Sequence, residues 1–202
     1  MMGRILEFCF DYISPYSHIA NAAVKKLVSN TGIETVRKPI FLGAVMQATG
    51  NKPPGLVPSK GAYMLKDLDR CAHRYGVSIR MNPHFPMVNT RGLLRATIGL
   101  ASEPYQQQAF IDACFHHMWS SPNPLNPGDE DSVRAMCKVE GFDYREITAL
   151  AENETNKAIL KENTDSAIAR GAFGAPTFFV GDQMFFGHDR LDYAEDALLV
   201  HA

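Results

Sequence analysis

The chain reads as an α/β fold: a βαβ half near its start, a block of helices, and a ββα half near its end. Three observations predict this. Residues 5–10 form a short apolar and aromatic run that stops at Asp11. From Ala62 onward the apolar period is helical for roughly a hundred residues. Near the end, Thr177-Phe178-Phe179-Val180 and Met184-Phe185-Phe186 flank Gly181-Asp182, two strands around a two-residue turn.

The first strand is followed by a helix whose stripe is Ile19, Ala22, Ala23 and Leu27, with Lys25 and Lys26 on the polar side. Ser14 is then placed to cap that helix, with Pro15 in the favoured first position. Orphan N–H groups and the positive end of the helix dipole converge there, so the spot suits an anion. Ser14-Pro15-Tyr16-Ser17 has the four-residue frame of a Cys-x-x-Cys motif with serine at both ends. Disulfide chemistry is thereby absent, while the geometry can persist. On these residues alone, a plain helix cap that binds nothing is the favoured reading, and only a second, distant half of a site would overturn it.

A second strand is expected over 33–40, ended by Pro39, and completes the βαβ unit. Residues 50–61, with three prolines and three glycines in twelve positions, predict a long irregular loop of the kind that is functional or a linker. The helical block then opens with Leu65, Leu68, Ala72 and Tyr75 as one stripe, closed by Gly76, while Lys66, Asp67, Asp69, Arg70 and Arg74 cover the other face. After the stiff segment 82–86, Asn89 is placed to cap a helix with Leu93, Leu94, Ile98 and Ala101 inward. Pro104 opens another, with Phe110, Ala113, Cys114 and Met118 inward; residues 131–140 give a third, with Val133, Met136 and Cys137 inward. A helix over 158–169, the strand entered at Pro176, its hairpin partner, and a helix over 191–200 complete the chain.

With 202 residues, 46% of them hydrophobic, a sizeable core is available. A net charge of −2 with both signs interspersed points away from nucleic acid and membrane and toward a small-molecule partner. Met1-Met2-Gly3-Arg4 leads into a strand without an apolar leader, which predicts a cytoplasmic protein. Cys9, Cys71, Cys114 and Cys137 lack metal-ligand or redox spacing and are expected to be buried structural thiols, with no metal site. His116 and His117 point about 100° apart on a helix, poorly placed to chelate one ion together. Arg91, Arg95 and the run Asp129-Glu130-Asp131 read as helix-end and surface charges.

Four segments, in order, carry a resemblance: Ser14-Pro15-Tyr16-Ser17, the run from Gly50 to Pro58 with Lys60-Gly61, the run from Gly171 to Pro176, and the run from Phe185 to Leu191. Together they resemble the kappa-class glutathione transferases and, in the tail, their bacterial relatives the 2-hydroxychromene-2-carboxylate isomerases. The resemblance covers residues 5 to about 198 and implies a thioredoxin-like domain, 1–42 and 165–202, with a DsbA-like helical insertion over 43–164. It implies glutathione as cofactor, a homodimer, and an aromatic hydroxy-keto acid as substrate in naphthalene-type catabolism.

The resemblance also assigns residues. Ser14 falls on the serine that faces the glutathione sulfur, and Asn51 on a glutathione-contacting asparagine. Ala175 precedes the family's cis-proline, here Pro176, and its backbone would pair with the cysteinyl part. His188 and Asp189 fall where the γ-glutamyl end is held, although His188 departs from the smaller serine or the glutamine of relatives, and a cap of the last helix is the lesser alternative for Asp189. A free thiol of pKa about 8.5 is only slightly ionised at neutral pH, so such an enzyme must favour the thiolate. A hydroxyl donating to a charged partner, about 1.5–3 kcal/mol, with a helix N-terminus, about 0.3–1 kcal/mol, reaches the ~2.7 kcal/mol that two pKa units require. The competing readings are a transferase that conjugates glutathione to electrophiles and a non-catalytic thioredoxin-like binding module.

Overall fold

The computed structural model describes residues 5–199; the N-terminal tetrapeptide and the expected helical residue 200 lie outside them. The chain runs β1 (Leu6–Phe10), α1 (Pro15–Thr31), β2 (Thr35–Pro39), α2 (Leu42–Thr49), α3 (Pro58–Tyr75), α4 (Arg91–Gly99), α5 (Pro104–Trp119), α6 (Glu130–Glu140), α7 (Tyr144–Glu152), α8 (Glu154–Ala169), β3 (Thr177–Val180), β4 (Gln183–Phe186) and α9 (Leu191–Leu199). The strands form one mixed sheet in the order β2-β1-β3-β4. β1 is parallel to β2 and antiparallel to β3, with Phe8 opposite Phe178, and β3 and β4 form the expected hairpin.

Position in the sheet follows from sequence. The central strands, Leu-Glu-Phe-Cys-Phe and Thr-Phe-Phe-Val, are the ones with near-continuous apolar runs, because both of their faces are covered. Leu6, Phe8, Phe10 and Phe178 join a core with α1, α4, α5 and α9, while Cys9 and Phe179 meet Ile40, Val45 and Ala167 of the α2–α8 side. The Phe8 and Phe178 rings stack at 5.3 Å. The edge strand β2 carries Arg37 and Lys38 and ends in Pro39, residues that discourage pairing with another chain.

Several expectations need correction. The segment 50–61 is not irregular throughout: Pro54–Leu56 is a 3-10 turn and α3 already begins at Pro58. Proline is preorganised for the first helical position, and a Cβ on Gly61 would lie 3.3 Å from Gly55 Cα, so these prolines and glycines serve a helix start and a close approach. Two helices, α2 and α7, are absent from the periodic reading. On α3 the buried face turns toward Leu68 and Ala72, leaving Leu65 half exposed and bringing Asp67 inward. Thr90, not Asn89, precedes α4, and Ala101 lies beyond that helix and is exposed. The expected boundaries at 42/43 and 164/165 fall inside helices α2 and α8.

His18, on α1, is buried with its Nε2 3.3 Å from the Ser78 carbonyl and 3.1 Å from Ser120 Oγ. Burial pushes its pKa down to about 4, so the folded protein holds it neutral. The unfolded chain binds that proton near pH 6.5, so stability is full above 6.5 and is lost as pH falls toward 4, by at most about 3 kcal/mol. Urea unfolding across this window should therefore fall more steeply with acidification in wild type than in His18→Gln. Parallel slopes in the two proteins would contradict the neutral, buried histidine.

Candidate active site

The site begins where β1 ends. Asp11 is fully buried, and its carboxylate accepts from Ile13 N at 3.1 Å, Leu42 N at 2.9 Å and the Thr90 hydroxyl at 2.6 Å. Burial raises its pKa and these hydrogen bonds oppose the rise. The buried Tyr12 phenol meets Thr97 Oγ1 at 2.6 Å, and Trp119 Nε1 donates to the Tyr12 carbonyl at 2.7 Å. The loop that delivers Ser14 is thus held by α2, α4 and α5. In the sequence Asp11 marks the end of a strand and Tyr12 belongs to no motif; the signal for both is a carboxylate and a phenol continuing directly from a buried strand.

Ser14 caps α1 as expected, accepting from Ser17 N at 3.1 Å, with Pro15 following. Its hydroxyl donates to the Ala175 carbonyl at 2.9 Å, joining positions 161 apart in sequence. Ala175–Pro176 is cis, in line with the resemblance. Asn51 Nδ2 donates to the Phe173 carbonyl at 2.8 Å, and Asn51 Oδ1 accepts from Lys52 N, so that side chain fastens its loop to the strand approach. Gly187 N donates to the Pro176 carbonyl at 2.9 Å, bringing the segment 187–189 to the same end of the sheet.

The side chain of His188 turns inward. It is buried, stacks on Tyr16 at 5.2 Å with planes 11° apart, and places Nε2 3.2 Å from Cys71 Sγ. Asp189 lies in a 3-10 turn before α9; its exposed carboxylate takes Arg190 Nη1 at 2.7 Å. Gly187 has φ +99°, and a Cβ there would fall 2.6 Å from Asp189 Oδ1, so glycine alone leaves room for this carboxylate.

Cys71 departs from the expectation of a buried thiol, being partly exposed beside His188. Burial raises its pKa, as do the Asp67 and Asp189 charges, while burial lowers that of His188. Both shifts favour neutral forms, so the contact is not an activated thiolate–imidazolium pair. Cys9, pushed up to about 12 by burial, and the deeply buried Cys114 are equally inert. Ser14 has a carbonyl and no His or carboxylate as the acceptor of its proton, so nothing here converts it into a nucleophile. What it offers is a hydroxyl donor at a helix N-terminus. No group of three or more His, Cys, Asp or Glu among the described residues is arranged to hold a metal ion.

Residues 5–199 match the DSBA-like thioredoxin domain model. The chain is 31% identical to the 2-hydroxychromene-2-carboxylate isomerase of Sphingobium xenophagum, over 98% of this chain and 100% of that protein. It is 30% identical to glutathione S-transferase kappa 1 of Caenorhabditis elegans, over 96% of this chain and 90% of that one. Among solved structures, a 2-hydroxychromene-2-carboxylate isomerase superposes with a TM-score of 0.84 at 28% identity, covering 96% of this chain and 94% of its own.

Replacing Asp11 by Ala leaves Leu42 N, Ile13 N and the Thr90 hydroxyl without their acceptor, at about 1–3 kcal/mol for each donor that stays buried. Relief of the buried charge offsets part of this, and we expect a net loss of about 3 kcal/mol in urea unfolding. A loss below about 1 kcal/mol would show that the loop is held by other contacts.

Proposed function

The chain belongs to the family of DSBA-like thioredoxin domains that includes 2-hydroxychromene-2-carboxylate isomerases and kappa-class glutathione transferases, and on that premise we propose a glutathione-dependent isomerase. Its reaction interconverts 2-hydroxychromene-2-carboxylate and trans-o-hydroxybenzylidenepyruvate. The observation that carries this reading is the Ser14 hydroxyl, held at the start of α1 against the Ala175 carbonyl with no base beside it.

The donor set suits a thiol tripeptide. Ser14 lies at the sulfur end; Ala175 and Pro176 would hold the cysteinyl part, Asn51 the loop side, and Asp189 with the His188 backbone the γ-glutamyl end. The space over Gly187 that a Cβ would fill supports this fit, because it lets the Asp189 carboxylate lie close to the backbone. The inward-facing, neutral ring of His188 leaves only its backbone for the ligand. Glutathione, when bound, supplies a thiolate able to add reversibly to a conjugated double bond.

The contribution of Ser14 is a matter of hydrogen-bond strength. Its present neutral bond to a carbonyl is worth about 0.5–1.5 kcal/mol net, and one to a charged acceptor about 1.5–3 kcal/mol. The hydroxyl therefore turns from Ala175 toward an anion brought alongside it, and the dipole of the 17-residue helix α1 adds in the same sense. Similarity to the kappa-class protein supports a second reading, conjugation of glutathione to an electrophile at the same residues.

A melting scan and a turnover assay test this together. Reduced glutathione at about 100 times its dissociation constant should stabilise by about 2.7 kcal/mol, a rise of roughly 5–11 °C for a chain of this size. Either substrate should reach the same equilibrium mixture only when glutathione is present, with glutathione recovered unchanged; its consumption would select the transferase. Ser14→Ala should keep the melting shift and lose about 5- to 30-fold in turnover at pH 7, corresponding to about 1–2 kcal/mol. Absence of a glutathione shift, with turnover that ignores glutathione, would overturn the proposal.

A further inference from the structure

Two cavities adjoin helix α4, one of about 900 Å³ reaching to α7 and one of about 250 Å³ reaching to α8, and Arg91 and Arg95 line both. The pair is the wall they share. The sequence presents these residues as helix-end or surface charges, but their surroundings in the fold are different. Neither forms an ion pair among the described residues. Lys157 and Lys161, which also line the smaller cavity, are matched by Glu154 and Asp165, so the arginines carry its uncommitted charge. Glu154 feels Arg95 as well, but its close contact is with Lys157.

The two guanidinium groups lack an anion in several independent ways. Arg91 and Arg95 are four residues apart on α4, so like charges share one helix face, which is unfavourable unless something neutralises them. Nε of Arg95 is buried and has no hydrogen-bond partner, a cost that an acceptor brought alongside it removes. Arg91 opens α4, whose first turn has no acidic residue to balance the positive end of the helix dipole. Thr90 offers no side-chain cap there, because its hydroxyl is spent on Asp11. Arg91 is nonetheless held in position: Asn89 Oδ1 accepts from its Nε at 3.0 Å, and its guanidinium lies 5.3 Å from the centre of the Phe41 ring. Phe41 is fixed in turn by its N–H, which donates to Thr164 Oγ1 at 3.0 Å.

The larger cavity has another character. Leu93 and Ile147 alternate there with polar Thr148, and Asp129, Glu130 and Glu152 also line it. Those carboxylates accept from hydroxyl groups and repel a second anion. A ligand with a compact anionic head at the arginines and a neutral, hydroxyl-bearing body in the larger cavity satisfies both regions. Arginine forks match the oxygens of a phosphoryl group. We propose that this site binds the phosphate monoester of a small polyol or sugar, with its phosphoryl group on Arg91 and Arg95. The site shares no residue with the one assigned to glutathione and does not depend on the isomerase reading.

Calorimetry at low ionic strength with ribose 5-phosphate, inorganic phosphate and ribose, each with and without reduced glutathione, tests this. Wild type should bind ribose 5-phosphate equally under both conditions, inorganic phosphate about tenfold more weakly, and ribose not measurably. Arg91→Gln and Arg95→Gln should each weaken ribose 5-phosphate by about tenfold, ~1.4 kcal/mol, while Lys26→Gln, which removes an exposed charge from α1, should leave it unchanged. Arg91 is exposed, so its variant keeps the fold and decides the outcome should Arg95→Gln fail to fold. No binding of ribose 5-phosphate by wild type at millimolar concentration, full affinity in Arg91→Gln, or an equal loss in Lys26→Gln would overturn the site. Competition by glutathione would place the ester at Ser14 instead, and inorganic phosphate binding as tightly as the ester would overturn the monoester class.

Discussion

Asp11 is a carboxylate with no exposed surface at the end of a strand whose other residues are almost all apolar, and its position governs how Ser14 is presented. A buried charge is costly unless hydrogen bonds satisfy it, and here the partners are the start of α2, the residue preceding α4 and the carboxylate's own loop. Tyr12 adds ties to Thr97 and to Trp119. Helices inserted between the two halves of the sheet thus hold the loop that delivers Ser14. They belong to the site's support as much as to the core.

The second half of the site is supplied after the insertion. The Ala175 carbonyl accepts from the Ser14 hydroxyl, that of Phe173 from the Asn51 amide, and that of Pro176 from the Gly187 N–H, so three carbonyls of one short stretch gather the separate segments. The protein's own thiols are kept out of the chemistry by burial, which raises Cys9, Cys71 and Cys114 alike. A serine at a helix start, without a base, is consistent with a role in holding a thiolate contributed by a ligand. That division of labour explains why serine can occupy a frame that resembles a redox motif.

Much of this was legible in the residues, for reasons that are physical. Phe8, Phe10, Phe178 and Phe179 mark central strands because both faces of those strands are covered, and Ser14-Pro15 marks a helix start because both residue types suit that geometry. Two helices, α2 and α7, escaped. Pro58 and Gly61 read as loop residues, whereas Pro58 opens α3 and Gly61 makes room for the backbone of Gly55. Asp67 looked like surface charge, since only the fold brings Tyr16 and Tyr63 to it. In the same way His188 could be aligned with ligand-holding positions, but its turn toward Tyr16 and Cys71 depends on packing.

The central claim is that Ser14 stabilises a bound thiolate as a hydrogen-bond donor, and the thiolate absorbance of enzyme-bound glutathione, titrated with pH in wild type and Ser14→Ala, tests it most directly. The account predicts a bound thiol pKa about two units below the free value of ~8.5 in wild type, and a rise of roughly one to two units in the variant at undiminished binding. An unchanged pKa in Ser14→Ala, or a covalent adduct on Ser14 in wild type during turnover, would contradict it.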